Sequence, residues 1–534
     1  MNKLNFKKFY YLIFFTFNLL ECNDGDLDIT FNNPTSTLTN PVPGTLTTPN
    51  FGPTTDASSS NSLAIQTDQK IVAVGYATIN ISDSFVIARY NTDGSLDTTF
   101  GNTSPIPGTV ATPSFTTLSS DTTFARASSV TIQTDGKIVV AGTVVTNPTG
   151  NESFAVARYN TDGSLDTTFG TSSPVPGTVV TTSFTTVPTD TNAATAASIA
   201  IQTDGKIVLV GSVNTNITGN DSFGIVRYNT DGSLDTTFGA TSQVPGTVLT
   251  SYFTSVTSDT NSADALAIAI QSNGKIIVVG NSNTNPTGND SFAIARYNTD
   301  GSLDTTFGAT SQVPGTVLTS IFSTNPSDTV SADATAVKIQ ADGKIIVGGV
   351  ASIIDIANPS GLPQFALARY DTSGNLDTSF GATSPIPGTV TTNTFGTVNE
   401  ASSITGLAIQ FDGKIVAVGG SVITTKFTLR DNLVLVRYLT NGSLDSTFGP
   451  VSSTVPGIVI TYSFATGTAA DIANSVALQA DGKIVISGVA EIATTPVVQF
   501  ALARYLSTTP PTPPSPTCFS SFVEALIAKY RINI

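Results

Sequence analysis

The chain of 534 residues has no histidine and no tryptophan, and only two cysteines and five glutamates. Without histidine there is no imidazole base, no Ser-His-Asp or Cys-His couple and no histidine-held metal. The glutamates (Glu21, Glu152, Glu400, Glu491, Glu524) lie in different repeats or in the flanks and form no pair. Charged residues make up only 11% of the chain, and the net charge is −15. A nucleic-acid partner asks for a basic face. Here seven lysines and seven arginines sit at fixed repeat positions, and no basic cluster remains outside the two ends of the chain. Helical proteins lean on Glu, Lys and Arg. Their scarcity, beside abundant Thr, Ser, Asn and Gly, points to short strands joined by many turns.

What the chain does have begins with an export leader. Lys3, Lys7 and Lys8 precede a predominantly apolar run, Phe9–Leu20. That run is too short to span a bilayer and has the length of a secretory core segment. Residues 1–21 are therefore expected to be a signal peptide, and no membrane span is expected once it is removed. Leu19-Leu20-Glu21-Cys22 has the outline of a lipoprotein box, but a glutamate beside the cysteine argues against lipidation.

The body is a repeat. Asp-Gly-Ser-Leu-Asp-Thr-Thr-Phe-Gly stands complete at 93–101 and returns unchanged at 162–170, 231–239 and 300–308. Edited copies follow at 373–381 and 441–449, and a truncated copy opens the body at 24–31. The motif glycine falls at 25, 94, 163, 232, 301, 374 and 442, a period close to 69. Such a fixed period marks a repeat architecture. Within one unit Ser129–Gln133 alternates as a strand does and Thr134–Lys137 makes a tight turn. Ile138–Val144 is an apolar strand, Phe154–Tyr159 a third strand, and Leu165–Phe169 is expected to begin a fourth, continued or bulged through Pro176-Gly177-Thr178 to Phe184. Two Asp-Gly turns between apolar strands are strong hairpin signals. Four antiparallel strands per repeat make a propeller blade.

Two landmarks count the blades. The turn lysines are Lys70, Lys137, Lys206, Lys275, Lys344, Lys414 and Lys483. The arginines of Ala/Val-Arg-Tyr are Arg89, Arg158, Arg227, Arg296, Arg369, Arg437 and Arg504. The seventh repeat stops after Tyr505 without a fourth strand, and the chain opens with an orphan one at Leu27–Phe31. The fold class is therefore an all-β, seven-bladed propeller over residues 22–508, closed by the N-terminal fourth strand pairing with the last repeat. The recurring pair Gln-x-Asp-Gly-Lys-Ile-Val and Ala-Arg-Tyr-Asn-x-Asp-Gly-Ser-Leu-Asp-x-Thr-Phe-Gly closely resembles the bacterial delta-60 repeat family. The resemblance covers about 480 residues. It implies an exported β-propeller and no established activity. Departures are small: Gln69 replaces a turn glycine, Asn273 a turn aspartate, and Leu439 and Leu506 the usual asparagine.

Beyond the body, Pro510–Pro516 marks a proline-rich linker (509–517) that is extended and semi-rigid. The tail, 518–534, carries Phe519, Phe522, Val523, Leu526, Ile527 and Tyr530 at helical spacing.

Four sets of residues are candidates for a role. Strand alternation places each arginine on one blade face and the aspartate of the following motif on the other. This predicts inter-blade ion pairs between the seven arginines and Asp28, Asp97, Asp166, Asp235, Asp304, Asp377 and Asp445. Asn91, Asp93 and Asp97 offer a partial calcium-loop pattern that lacks its leading aspartate and distal glutamate; a plain type I′ turn explains the same residues. Cys22 and Cys518 flank the terminal seam, where a disulfide would staple the ring provided Cys22 survives processing. The loops after strands two and four vary, and variable loops on a rigid scaffold suit recognition. Ile353, Ile354, Ile356, Leu362, Lys426, Arg430 and Glu491 are the candidate partner surface.

No catalytic set and no cofactor site emerges. The leading reading is a monomeric, non-enzymatic propeller, secreted or at the cell surface, that presents a rigid surface to a protein or glycan. A hydrolase or lyase using carboxylates at the central channel is the alternative from another class. A passive spacer is a third.

Overall fold

Each repeat begins with two apolar strands joined by a Gln-x-Asp-Gly-Lys turn. In blade two Gly136 takes φ 84° and the turn is closed by Gln133 N→Lys137 O at 2.9 Å. The computed structural model describes residues 23–507, except 33–41, 49–50, 53–54, 81, 113, 117–123, 146–150, 182, 187–192, 216–219, 255–261, 284–288, 321, 325–328, 355–360, 393–400, 425–428, 451–454, 462–470 and 493–496. The expected signal peptide, linker and tail, with Cys22 and Cys518, lie outside the described residues. The chain forms seven four-stranded antiparallel sheets, and no helix occurs among the described residues. Blade one runs from Thr55 to Thr112, and blade two from Phe124 to Thr181. Blade three covers Ala193–Thr250, blade four Ser262–Thr319, blade five Thr329–Thr392 and blade six Ala401–Thr461.

Blade seven is built from both ends of the chain. Asp471–Leu478, Ile484–Ile492 and Val497–Tyr505 supply three strands, and Thr45–Thr48 supplies the fourth. Thr45 pairs with Ala503 and Thr48 with Phe500. Closure therefore follows the expected plan with a different strand, since Leu27 makes only an isolated bridge to Tyr505. The same shift holds in every blade. Leu165 bridges Tyr159 alone, and the fourth strand is Thr178–Thr181. The reason lies in the motif's own hydrogen bonding. Asp166 Oδ1 accepts from the Thr168 amide and hydroxyl, and Gly170 turns at φ 58°. The chain is thus folded back before it can run on as a strand.

The core lies between blades. One apolar cluster joins Val72, Phe85 and Phe100 of blade one to Ala125, Ile138 and Val140 of blade two, all fully buried. Burying one such aliphatic or aromatic side chain contributes about 1.5–3 kcal/mol. A blade taken alone would leave both of its faces wet, so the ring must close.

Polar contacts repeat at the same junctions. Tyr90, Tyr159, Tyr228, Tyr297, Tyr370, Tyr438 and Tyr505 each share a hydrogen bond of 2.5–2.8 Å with a threonine on strand four of the preceding blade. The motifs also touch directly. Gly101 N donates to Asp162 O at 2.7 Å, and equivalent bonds run round the ring to Gly449 N→Asp24 O and Asn32 N→Asp93 O. A Cβ on Gly163 would lie 2.8 Å from Gly101 N, so this glycine is needed for close approach as well as for its φ of 90°. Gln69, the one turn residue that departs from glycine, holds φ 67°. Its side chain receives the Ala480 amide of blade seven at 2.7 Å, which ties the seam and offsets the strained backbone.

Removing residues 23–48 deletes both the closing strand and the motif that joins blades six and one. The edge of Val497–Tyr505 would then be bare. We expect aggregation, or a thermal midpoint lower by more than about 10 °C, given the several kcal/mol lost with the buried Phe31, Leu46 and Asp28. A truncated protein that melts like the parent would place the seam elsewhere.

Candidate functional site

At the end of the ring formed by the Asp-Gly turns, each blade carries a buried arginine, a motif aspartate and a turn lysine that meet one another. Each strand-three arginine is almost completely buried, and its Nε lies 2.6–2.8 Å from a motif aspartate. The turn lysine reaches the same carboxylate oxygen at 2.6–3.3 Å. The guanidinium also lies over the motif phenylalanine, 4.3–4.8 Å from its centroid.

The residues that meet are those expected, but each pair lies within one blade rather than between blades. Arg89 meets Asp97, Arg158 Asp166, Arg227 Asp235, Arg296 Asp304, Arg369 Asp377 and Arg437 Asp445. Arg504 meets Asp28, which the N-terminal segment brings into blade seven. Alternation would put Asp166 on the far face only if strand four began at Leu165. Because the chain turns there instead, Asp166 folds back onto its own blade. What crosses the junction is the arginine's second arm: Arg89 Nη1 donates to Thr161 O and Arg227 Nη1 to Thr299 O, both at 2.5 Å. Among the described residues of the turn end, one ion pair does cross, Arg437 to Asp24 at 2.9 Å.

The partial calcium pattern is likewise engaged internally. Asp93 Oδ1 accepts from the Ser95 amide and hydroxyl at 2.9 and 2.6 Å, and Asn91 donates to Ser95. Asp97 faces Arg89 and Lys70 instead of Asp93. Among the described residues no three Asp, Glu or Cys groups are arranged to hold a metal.

The opposite end departs from the template. Of the candidate surface, Ile354 is exposed while Ile353 is buried in the core, which removes Ile353 from any contact role. Leu362 is half-buried ahead of strand three of blade five, and Glu491 pairs with Val498 near the end of strand two in blade seven. Arg430 pairs in register with Ile423 in blade six. Ile356 and Lys426 lie outside the described residues.

A group not singled out from the sequence stands at this same end. Asp264 and Asp333 lie near the start of the inner strands of blades four and five. Asp221 and Asp290 open strand three of blades three and four. Burial raises the Asp221 carboxyl, and the charge of Asp264 raises it further. Burial likewise raises Asp290, with Asp333 and Asp264 adding to it. Asp333 is raised by burial and by Asp264, although Asn281 donates to it at 2.8 Å. None of the four forms an ion pair with a described lysine or arginine. Corresponding junctions elsewhere carry a single carboxylate with a donor: Asp83 is neutralised by Arg126 at 2.6 Å, and Glu152 accepts from the Thr195 hydroxyl at 2.6 Å. The readable signal was aspartate at two aligned off-template positions, in Ser-Ala-Asp-Ala at 262–265 and 331–334.

Fold and repeat chemistry define a seven-bladed β-propeller whose motifs knit neighbouring blades together. Six segments, 66–100, 133–169, 202–238, 271–307, 340–380 and 410–448, match the family model described as "Domain of unknown function (DUF5122) beta-propeller". These six matches, which together cover less than half of the chain, fit a β-propeller repeat family. No curated protein matches the chain. Similar solved structures include the polysaccharide lyase Uly1, at 10% identity and TM-score 0.40, with 91% of this chain and 97% of that one covered. The α-L-arabinanase of Penicillium chrysogenum complexed with arabinobiose is similar at 8% identity and TM-score 0.37, covering 73% and 95%. The propeller domain of the Trilobed protease from Pyrococcus furiosus gives 12%, 0.36, 85% and 94%. At these scores the likenesses assign no chemistry to this chain.

Three outcomes follow for the turn end. Arg227→Met leaves Asp235 buried beside Lys206 alone and should cost about 3–5 kcal/mol in urea unfolding; a loss of about 1 kcal/mol or less, typical of an exposed pair, would contradict this. Burial opposes ionisation of Asp97, but Thr99, Lys70 and Arg89 outweigh it and hold the carboxyl down to about 2; Asp445 is held at about 2 by Thr447, Arg437 and Lys414 against the same burial. A depressed folded pKa stabilises fully above the unfolded value near 4, and the contribution is lost as pH falls towards 2. The thermal midpoint should therefore fall steeply below about pH 4, and a flat profile to pH 2 would refute the assignment. Chelation should leave the midpoint unchanged, because the motif carboxylates already have protein partners.

Proposed function

We propose that the protein is a non-enzymatic, exported propeller of the delta-60 type. It works as a monomer, secreted or at the cell surface, and holds a protein or glycan partner on the end opposite the Asp-Gly turns. The observation that carries this reading is the contrast between the two ends. At the turn end the second carboxylate of each motif is met by its own arginine and lysine and the first is capped by a neighbouring side chain or amide, whereas Asp221, Asp264, Asp290 and Asp333 face one another at the other end. Mutual repulsion and burial make that arrangement costly for the free protein. A partner bearing amines or guanidinium groups would relieve it, so the partner is a basic protein surface or an amino-sugar glycan. Ile354 and the neighbouring loops of blades five to seven supply the flanking contacts.

A second reading has one observation behind it. Raised carboxyls are the kind of group that acts as a general acid, so a hydrolase or lyase would work through Asp221, Asp290 and Asp333.

Asp264→Asn separates these outcomes. It removes the charge that raises Asp221, Asp290 and Asp333, so the thermal midpoint near neutral pH should rise. Binding to basic envelope proteins or chitosan oligosaccharides should weaken at least tenfold, about 1.4 kcal/mol, and should lose part of its salt dependence. Unchanged binding would move the partner site away from this end. Release of reducing ends from a polysaccharide panel, abolished in the same variant, would establish the enzyme reading.

A further inference from the structure

The axis of the ring is a cavity of about 300 Å³ walled by the innermost strand of all seven blades. Each of these strands is the edge of its sheet, so its outer backbone groups face the axis without a strand partner. Every one also carries a bulge of one extra residue: Asn61, Ser128, Ala197, Leu266, Thr335, Thr405 and Asn474. Where that residue is polar it ties its blade to the next. Asn61 Nδ2 donates to Ala127 O at 2.8 Å and Thr405 Oγ1 to Ala473 O at 2.7 Å.

The wall is uniform in backbone but not in chemistry. The residue after the bulge is serine in blades seven, one, two and three (Ser475, Ser62, Ser129, Ser198), which are consecutive round the ring. In blades four, five and six it is Ala267, Ala336 and Gly406. Half the channel thus carries a continuous arc of hydroxyls. Ser129 and Ser475 accept backbone amides of the next blade, from Ile199 at 3.4 Å and Leu63 at 3.3 Å, which leaves their protons free to donate inwards.

Blade five lies across the ring from the middle of that arc, and it supplies the one charged residue of the wall, Lys338. Two residues beyond the serine position, the other blades have Ala64, Thr131, Ala200, Ala269, Ala408 and Ala477. The Lys338 side chain lines the channel and is exposed to its water, and the protein around the channel lowers its ammonium from the usual range. It forms no ion pair or hydrogen bond with any described residue. A lone ammonium in a channel otherwise walled by neutral groups is uncompensated within the fold.

We propose that the channel is a binding site for a small hydroxylated monocarboxylate, a sugar acid in chemical class. Its carboxylate sits on Lys338 Nζ, and its hydroxyls meet the serine arc and the open backbone edges opposite. The cavity lies at the lower end of the range for small-molecule sites, enough for one such molecule and too small for a polymer chain. One ammonium balances one carboxylate, while the arc selects for hydroxyls. This site stands apart from the partner surface around Asp264 and does not depend on it.

The test uses gluconate, with glucose, acetate and inorganic phosphate as comparison ligands, measured by titration calorimetry on the full chain. Gluconate should bind the parent protein, with glucose and acetate each at least about tenfold weaker. Lys338→Ala installs the residue that five sister blades already carry, so it should fold normally and lose at least about tenfold in gluconate affinity. Lys338→Gln, of similar length and neutral, should behave the same way. Ser62→Ala with Ser129→Ala should weaken gluconate and leave acetate unchanged. Absence of gluconate binding at millimolar concentration would overturn the proposal. So would equal binding by the Lys338 variants, or phosphate binding as tightly as gluconate. Asp264→Asn should leave gluconate binding unchanged, which keeps this result independent of the partner-binding one.

Discussion

A single backbone contact recurs at each junction of the ring: an amide at the end of one motif donates to a carbonyl in the turn of the next. Gly101 to Asp162 is one instance and Gly449 to Asp24 closes the circle. The rest of the turn end is arranged to make that contact possible. Glycine at 163 allows the backbones to approach, and the Phe100 ring packs against it. Arg89 lies over the same ring, held by Asp97 and Lys70, and sends its free arm to the neighbouring turn. The charged triad is thus a positioning device. Its buried charges are tolerated because every one has a partner of fixed geometry.

The two ends of the molecule illustrate opposite uses of a repeat. At the turn end the copies agree at nearly every position, and agreement is what lets one blade fit the next. Along the channel and at the far end the copies share a backbone but not a chemistry. Leu266 and Ala197 break the ring of polar bulge residues, Lys338 replaces alanine, and four aspartates cluster on blades three to five. A position that differs between sister blades is free of the scaffold's demands, and its chemistry can serve something other than folding.

Much of the fold was legible in the sequence because its signals are local. Asp-Gly turns, alternating apolar runs and a period near 69 residues give blades, their number and the need for the chain ends to meet. The identity of the paired residues was legible as well, since arginine and aspartate recur in step. Their placement was not. Whether Leu165–Phe169 runs on as a strand depends on Asp166 capping Thr168, a choice between two local hydrogen-bond patterns that periodicity cannot rank. Of the expected fourth strand only the distal part, Thr178–Thr181, forms, and the fold-back before it turns pairs between blades into pairs within them. The aspartate cluster escaped notice for a different reason. Asp221 and Asp264 are 43 positions apart and meet only because blades three and four are neighbours in the ring.

Near-identical repeats are prone to gain or lose a copy by recombination, and the junction contact says what such an event would do here. Each amide-to-carbonyl bond holds its two blades at one-seventh of a turn, and the terminal strand seats only when all seven angles sum to a full circle. A six- or eight-copy chain would have to bend every junction together, including glycines with no room to move. Copy number in this molecule is therefore fixed by geometry, and variation is confined to what each blade displays.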